Sequence, residues 1–199
     1  KHYKFDTTFV WPRPAQKPHP TIWYAAMTTP SIQYAAERGF HVANWPFLKP
    51  MSFVEDVAEK FHLAREEAGN ARGAQKLSIM RPVYVAASEE EAREAVPTML
   101  SNHRLSQRIR EPGVEADARG FVEPEPLDDE PTPDETFEVM IAGDPAQCLE
   151  KLHHYAELGV DEFITWFDFG MDHERNWETR QRFAEEVMTP FRRQLKAAE

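Results

Sequence analysis

Apolar residues along this chain fall into short continuous runs, separated by stretches where they recur every three or four positions. Thr21-Ile22-Trp23-Tyr24-Ala25-Ala26 is the first run, β-branched and aromatic, and predicts a buried strand. In Thr28-Thr29-Pro30-Ser31, Thr29 can cap a helix with Pro30 at its first position, where a missing N–H costs nothing. Ile32, Ala35 and Ala36 give that helix an apolar face, and Gly39 can end it in the left-handed conformation. The second unit is a strand over His41–Trp45, stopped by Pro46. A capping box, Ser52-Phe53-Val54-Glu55, opens its helix, whose buried face is Phe53, Val57, Phe61 and Ala64 and whose end lies near Gly69. The third is a strand from Leu77 to Ala86, then a capping box at Ser88-Glu89-Glu90-Glu91. That helix is broken or kinked by Pro97 and resumes to about Ile109. In the fourth, Asp144-Pro145-Ala146-Gln147 starts a helix with the stripe Leu149, Leu152, Ala156 and a close at Gly159. A strand over Val160–Phe169 and a final helix from about His173 to Lys196 follow. Trp177, Phe183, Val187 and Phe191 mark that helix, and Pro190 should kink its last turns.

Continuous apolar strands alternating with amphipathic helices predict a parallel sheet covered by helices. An open doubly wound sheet and part of a (β/α) barrel both suit four such units. No Gly-x-Gly-x-x-Gly follows any strand, which leaves the dinucleotide-binding version of the open sheet unsupported. The first twenty residues are proline-rich and aperiodic, an extended lead-in. Periodicity fails again over residues 111–138, where Glu123–Glu138 holds eight acidic residues, four prolines and no basic residue. This reads as a loop, either a solvated linker or an active-site lid.

Composition narrows the partners. The chain has 199 residues, enough for one domain over 1–199, with 23 Lys+Arg against 34 Asp+Glu for a formal net charge of −11. Such an acidic chain repels phosphate backbones and anionic membranes, so neither nucleic acid nor membrane is expected as a partner. No apolar run reaches the ~18–20 residues that span a bilayer. The single cysteine, Cys148, excludes an internal disulfide framework and a cysteine-built zinc site, and fits a reducing, cytoplasmic setting. Residue 1 is Lys, which reads as a processed chain or part of a longer one.

Ligands of parallel α/β folds sit at the carboxyl ends of strands. After the first strand, Ala25 and Ala26 let a flat group approach the backbone. Thr28, Thr29 and Ser31 then cluster at a helix start, where free amides and the helix dipole favour an anion; hydroxyls at such a place can equally be plain caps. Trp45 ends the second strand as a pocket wall or a rim-filling residue. Trp166 and Asp168 end the fourth, the first as packing and the second as a possible polar contact. His153 and His154 are adjacent on a helix and cannot face one point, His173 opens a helix, and His62 and His103 fall on outer helices, so no metal site is expected. Arg81, inside an apolar strand, is either paired structurally or lines the mouth.

Several segments resemble the flavin-dependent luciferase-like monooxygenase family. They are Gln16-Lys17-Pro18-His19-Pro20-Thr21-Ile22-Trp23-Tyr24-Ala25-Ala26 with Ala35-Ala36-Glu37-Arg38-Gly39, then Ile141-Ala142-Gly143-Asp144-Pro145, Leu158-Gly159-Val160-Asp161-Glu162-Phe163, and the closing stretch Phe183–Phe191. The resemblance implies a (β/α)8 TIM barrel, with this chain as its C-terminal half of about four βα units and an N-terminal half supplied from elsewhere. It implies FMN bound through its phosphate at the Thr28 turn. Thr28 and Ser31 would give hydroxyls, Met27 and Thr29 backbone N–H groups, Ala26 a close backbone approach and Trp45 a wall. Some members carry an acidic residue where this chain has Met27, so contacts there can differ.

The implied activity is monooxygenation: reduced FMN, supplied by a separate NAD(P)H-dependent flavin reductase, and O2 oxidise a small organic substrate. The 111–138 segment would be a lid that keeps solvent from the reacting centre. Catalytic acid–base residues are not assigned by these motifs, and the half-barrel alone is expected to be inactive. Four parallel strands leave two open edges, so either homodimerisation or a further N-terminal portion is expected to cover them. A deazaflavin hydride-transfer enzyme of the same fold, and a non-catalytic half-barrel that only pairs with another chain, are the alternatives.

Overall fold

The longest apolar run organises the sheet. Leu77–Val85 forms β3, a nine-residue strand buried along almost its whole length. The computed structural model describes residues 4–9, 11–70 and 74–198; residues 1–3, 10, 71–73 and 199, and with them part of the expected lead-in, lie outside the described residues. β1 (Trp23–Ala25) pairs with β2 (His41–Asn44), and β2 pairs with the first part of β3. β5 (Glu162–Trp166) pairs with β3 over Ser78–Pro82, and a short β4 (Ile141–Gly143) pairs with its last three residues. Every pairing is parallel. The order β1-β2-β3 follows the chain and both later strands, β4 and β5, pair with β3, without the reversal of strand order that marks a doubly wound sheet. Of the two architectures open to the sequence, this is the barrel type.

Between the strands run α1 (Thr29–Glu37), α2 (Met51–Glu67), α3 (Glu89–Arg93), α4 (Val96–Arg108), α5 (Pro133–Val139) and α6 (Pro145–Glu157). After β5 come α7 (His173–Arg182), a π-helical segment Phe183–Met188 and α8 (Thr189–Ala198). Val42, Leu77, Ile79 and Val83 pack on one sheet face against Ile32 and Ala35 of α1, Val57 and Phe61 of α2, and Leu152 and Tyr155 of α6. A second core joins Tyr84, Met99, Phe137, Met140 and Phe169 under α3 and α4. Cys148 lies in the first core, and burial pushes its thiol up to about 12, so it carries no thiolate chemistry at neutral pH.

Several local expectations change. Helix α1 is capped by Thr28, one residue before Thr29, which places Pro30 at the second helical position. The box at Ser52–Glu55 does not form: α2 starts at Met51 behind an extended Pro50. The Asp144–Gln147 box does form, Asp144 Oδ1 accepting from the Ala146 and Gln147 amides at 2.8 and 2.9 Å. Pro97 falls at the start of α4, after the break expected there. Ahead of Pro190 the last helix widens into the π turn, where the Thr189 hydroxyl donates to the Ala184 carbonyl at 2.8 Å. Of the apolar marks of the last helix, Val187 is buried and Trp177 is exposed. β4 and α5 were not anticipated. β4 is three residues long, and α5 sits inside the stretch read as loop, opened by a Thr132–Glu135 capping box.

Gly159 shows why the turn into β5 needs glycine. Its φ is +76°, and a Cβ there would stand 2.7 Å from His62 Nε2. That imidazole nitrogen lies 3.1 Å from the Leu158 carbonyl, so His62 is a structural histidine, as its outer-helix position suggested.

Registered neighbours in a parallel sheet share a face. Trp23 and Ala25 therefore lie on the side of His41, Ala43, Ser78, Met80 and Ile164, opposite the helix-covered core. On this second face Trp23 is 38% and Ile164 42% exposed, which is unusual for a parallel sheet.

Candidate functional site

The carboxyl end of β1 runs through Ala26 into the Thr28 turn. Ala26 is fully buried; its amide donates to the Ala43 carbonyl at 3.0 Å and its carbonyl accepts from Asn44 Nδ2 at 2.7 Å. It therefore fixes the turn and has no polar group left for a ligand. At the turn the Ser31 hydroxyl donates to the Thr28 carbonyl at 2.7 Å and accepts from the Thr28 amide at 3.0 Å. Its single proton being used, the Thr28 hydroxyl is the donor in the 3.1 Å contact between the two side chains. Thr28 is exposed, so its Oγ1 can turn outward to a ligand without breaking the backbone cap. The amides of Met27 and Thr29 have no acceptor among the described residues. The result is a shallow, uncharged cradle of hydroxyls and N–H groups at a helix start, the chemistry that receives a phosphate.

Beside this turn lies a cavity of about 900 Å³, within the range of small-molecule sites. Met27 and Trp45 form the side nearest the cradle, and the Trp45 amide points at Met27 Sδ, 3.4 Å away. Trp45 stands edge-on to Phe47, ring centroids 5.1 Å apart, and to Trp166 at 5.6 Å; Phe47 and Trp166 stack at 5.8 Å. Phe47 adopts φ +51°, rare for a bulky residue. Arg81 explains how it is held. The guanidinium is fully buried, Nη1 donating to the Phe47 carbonyl at 2.7 Å and Nε to the Tyr155 hydroxyl at 2.9 Å. Burial lowers the Arg81 pKa, and burial raises that of Tyr155, which keeps the phenol neutral. Arg81 thus ties the helix layer to the mouth, pairing with neutral oxygens and no carboxylate among the described residues.

The far wall comes from the segment after α4. Leu127, Asp129, Glu130 and Pro131 line the cavity together with His103 of α4. Arg104 holds Glu130 with two hydrogen bonds, 2.7 and 2.6 Å, and Arg108 reaches Glu125 at 3.1 Å. The Arg104 pairing keeps the Glu130 carboxyl below the usual carboxylate range. At the base of the segment Lys151 donates to the carbonyls of Phe137, Met140 and Ala142 at 3.0–3.3 Å. His103 was placed on an outer helix by sequence alone. Here it packs on Phe47, centroids 5.1 Å apart, and burial lowers its pKa, leaving the ring neutral at neutral pH. The sequence reading gives His103 no place at the cavity and does not name Phe47. The one available signal was the aromatic spacing Trp45-Pro46-Phe47 directly after a strand.

Other candidates fall outside. Trp166 joins the aromatic cluster, its indole N–H donating to the Asp168 carbonyl at 2.9 Å. The Asp168 carboxylate accepts from Asn176 Nδ2 at 3.3 Å and serves as a loop tie. His153 meets Gln194 at 2.6 Å and His154 meets Glu55 at 3.6 Å, two different partners as their adjacency required. Among the described residues no group of three or more metal-ligating side chains converges, and no helix is long and apolar enough to cross a membrane.

Known proteins resemble this chain in sequence and in fold. The chain is 29% identical over 198 residues to the oxygenase component of a flavin-dependent trigonelline monooxygenase of Acinetobacter baylyi, covering 95% of this chain and 53% of that protein. It is 24% identical over 173 residues to an FMNH2-dependent dimethylsulfone monooxygenase of Pseudomonas putida, covering 83% and 46%. The chain thus spans about half the length of these relatives. Among solved structures, the monooxygenase RslO1 of Streptomyces bottropensis superposes with a TM-score of 0.66 at 20% identity, over 96% of this chain and 54% of that one. An F420-dependent secondary alcohol dehydrogenase superposes at 0.61 and 14% identity, over 93% and 54%. The oxygenating constituent of the P. putida 3,6-diketocamphane monooxygenase, solved with FMN, superposes at 0.58 and 19%, over 85% and 48%. The family model described as luciferase-like monooxygenase matches residues 1–162, and the chain belongs to that family.

Proposed function

We propose that this chain is the carboxyl-terminal half of an FMN-dependent monooxygenase barrel, and that its Thr28 turn holds the FMN phosphate. The observation that carries the reading is the cradle itself. Two hydroxyls and the unpaired Met27 and Thr29 amides lie at the carboxyl edge of a parallel sheet, next to a cavity walled by Trp45 and Phe47. The Thr28 hydroxyl, and the Ser31 hydroxyl once its proton turns from the Thr28 carbonyl, would donate to the phosphate, and Trp45 and Met27 would border the ring system. Reduced flavin, when bound, supplies the electrons that activate O2, and one oxygen atom passes to a small organic substrate while the other leaves as water. The protein's own part is to orient the reactants and keep water out, the latter through the segment that Arg104 and Arg108 clamp across the cavity.

The exposed Trp23–Ile164 face supports the half-barrel reading, because the amino-terminal strands of a closed barrel would cover it. With half the site supplied by those strands, the chain alone is expected to bind flavin weakly and not to turn over. A flavin reductase is the implied source of reduced FMN, since the Acinetobacter relative is itself named an oxygenase component.

One observation favours a second reading. An F420-dependent dehydrogenase shares the fold, so a deazaflavin transferring hydride is the runner-up. Titration with FMN, riboflavin and F420, followed by flavin absorbance and fluorescence, separates the readings. FMN should bind at least about tenfold tighter than riboflavin, the cost of leaving the phosphate contacts unmade. Thr28→Val should erase most of that difference, and Thr28→Ser should keep it. Preference for F420 would favour the hydride-transfer enzyme. Binding of no flavin by the chain together with a complementary barrel half would leave the non-catalytic partner.

A further inference from the structure

Seven methionines are spread along the chain, and their surroundings differ. Met99 and Met140 are fully buried, and Met51, Met80, Met171 and Met188 are partly buried. Met27 alone is exposed, at 46%, and it lines the large cavity beside the Thr28 turn. Its sulfur is held in one orientation, the Trp45 backbone N–H donating to Sδ at 3.4 Å. A thioether sulfur carries two lone pairs. The Trp45 N–H occupies one, which leaves the other as the face open to an electrophilic oxygen. Cys148 offers no competing thiolate, since burial pushes its thiol up to about 12. Oxidation turns a methionine from a flexible apolar side chain into a polar, chiral one, and the new oxygen is a strong hydrogen-bond acceptor. At Met27 that oxygen would stand beside the turn whose Met27 and Thr29 amides have no acceptor among the described residues, the donors assigned above to a phosphate. Its partial negative charge both competes for those donors and repels a phosphate.

We propose that Met27 is an oxidation site: hydrogen peroxide converts its thioether to one epimer of the sulfoxide, and the modified turn holds the flavin phosphate less tightly. The step is a single oxygen-atom transfer. An S–O bond forms, the O–O bond of the peroxide breaks, the sulfur gives up two electrons to the peroxide, and water leaves. An enzyme that brings reduced flavin and O2 together supplies this oxidant itself, because hydrogen peroxide is released whenever no substrate takes the oxygen. Oxidation of Met27 would then turn the site down as such release accumulates, and reduction of the sulfoxide would restore it. The modification of the sulfur stands on its exposure and on the Trp45 contact; its effect on flavin rests on the reading above.

The test is brief treatment of the chain with dilute hydrogen peroxide, followed by peptide mass spectrometry at each methionine. Met27 should oxidise first, about tenfold faster than any other. Methionine sulfoxide reductases A and B each reduce one epimer, so one of them alone should repair most of the Met27 sulfoxide; in protein oxidised in urea, each should repair about half. Fluorescence titration before and after treatment should show FMN binding weakened about fivefold and riboflavin binding changed less, with recovery after the effective reductase. Met27→Leu should bind FMN equally before and after peroxide. Earlier oxidation of another methionine, equal repair by the two reductases in folded protein, unchanged FMN affinity once Met27 is oxidised, or loss of FMN affinity in the treated leucine variant overturns the proposal. FMN titration of the untreated protein separates the two readings. Absence of FMN binding there removes the flavin reading, while the order of oxidation and the repair by one reductase still decide the oxidation site. A protein that prefers FMN to riboflavin and keeps that preference after oxidation loses this inference alone.

Discussion

Arg81 is a full charge in the middle of a strand, and its neighbours show what that arrangement does. Its guanidinium meets two neutral oxygens, one on a core helix and one on the turn that forms the cavity wall. Burying a cation without a carboxylate is costly, so the residue serves geometry more than stability. Arg81→Met should destabilise the fold by about 2 kcal/mol, since the Tyr155 hydroxyl and Phe47 carbonyl lose their donor in a dry setting. Arg81→Lys should not restore it, because an ammonium cannot reproduce the fork that reaches both oxygens. Urea midpoints of the three proteins check this, and a more stable methionine variant would show that the charge is a net cost. A charge in that strand was visible in the sequence, but its partners were not, since Phe47 and Tyr155 lie 34 and 74 residues away. Thr28 and Ser31 were legible because cap chemistry is local. His103 was not, because its exposure depends on how α4 turns against a segment with no periodicity.

Among elements, the alternation of strands and helices could be read because each long run keeps one period. What escaped was short or masked by composition. β4 has three residues and pairs only because β3 extends beyond β5. α5 hides in a proline-rich acidic stretch, although its Thr132-Pro133-Asp134-Glu135 start has the same form as the Asp144 box that was recognised. The stretch between α4 and α5 was read as either linker or lid. In the structure it borders the cavity, held by arginines of one helix. Glu130 is the main clasp, and its carboxyl pKa is lowered chiefly by the hydrogen bonds from Arg104. A depressed folded-state pKa contributes stability that is present above the unfolded value and lost as pH falls through the folded one. The clasp should therefore hold at neutral pH and release only once the pH falls below the ordinary carboxylate range. Glu130→Gln should loosen it at neutral pH by about 1 kcal/mol. Hydrogen exchange over residues 121–132 should rise in that variant while β3 stays protected. Unchanged exchange there would mean that the apolar contacts of Leu127 and Pro131 hold the segment unaided.

At the scale of the molecule, two unequal faces define the sheet. One is buried under α1, α2 and α6; the other leaves Trp23 and Ile164 in contact with solvent. Strand order, the uncovered face and a match over half the length of its relatives all fit a barrel half whose mouth is the functional edge. Fold class was within reach of the sequence because parallel strands must be apolar throughout. Which face would be left open was not, because a strand apolar on both sides does not say which side the helices take. The most direct measurement is an amide-shift titration of isotopically labelled protein with FMN. The account predicts the largest shifts at the amides of Met27, Thr29 and Ser31 and at the Trp45 indole, with residues at the amino ends of the strands unmoved. Shifts centred elsewhere, or identical spectra with FMN and riboflavin, would contradict it.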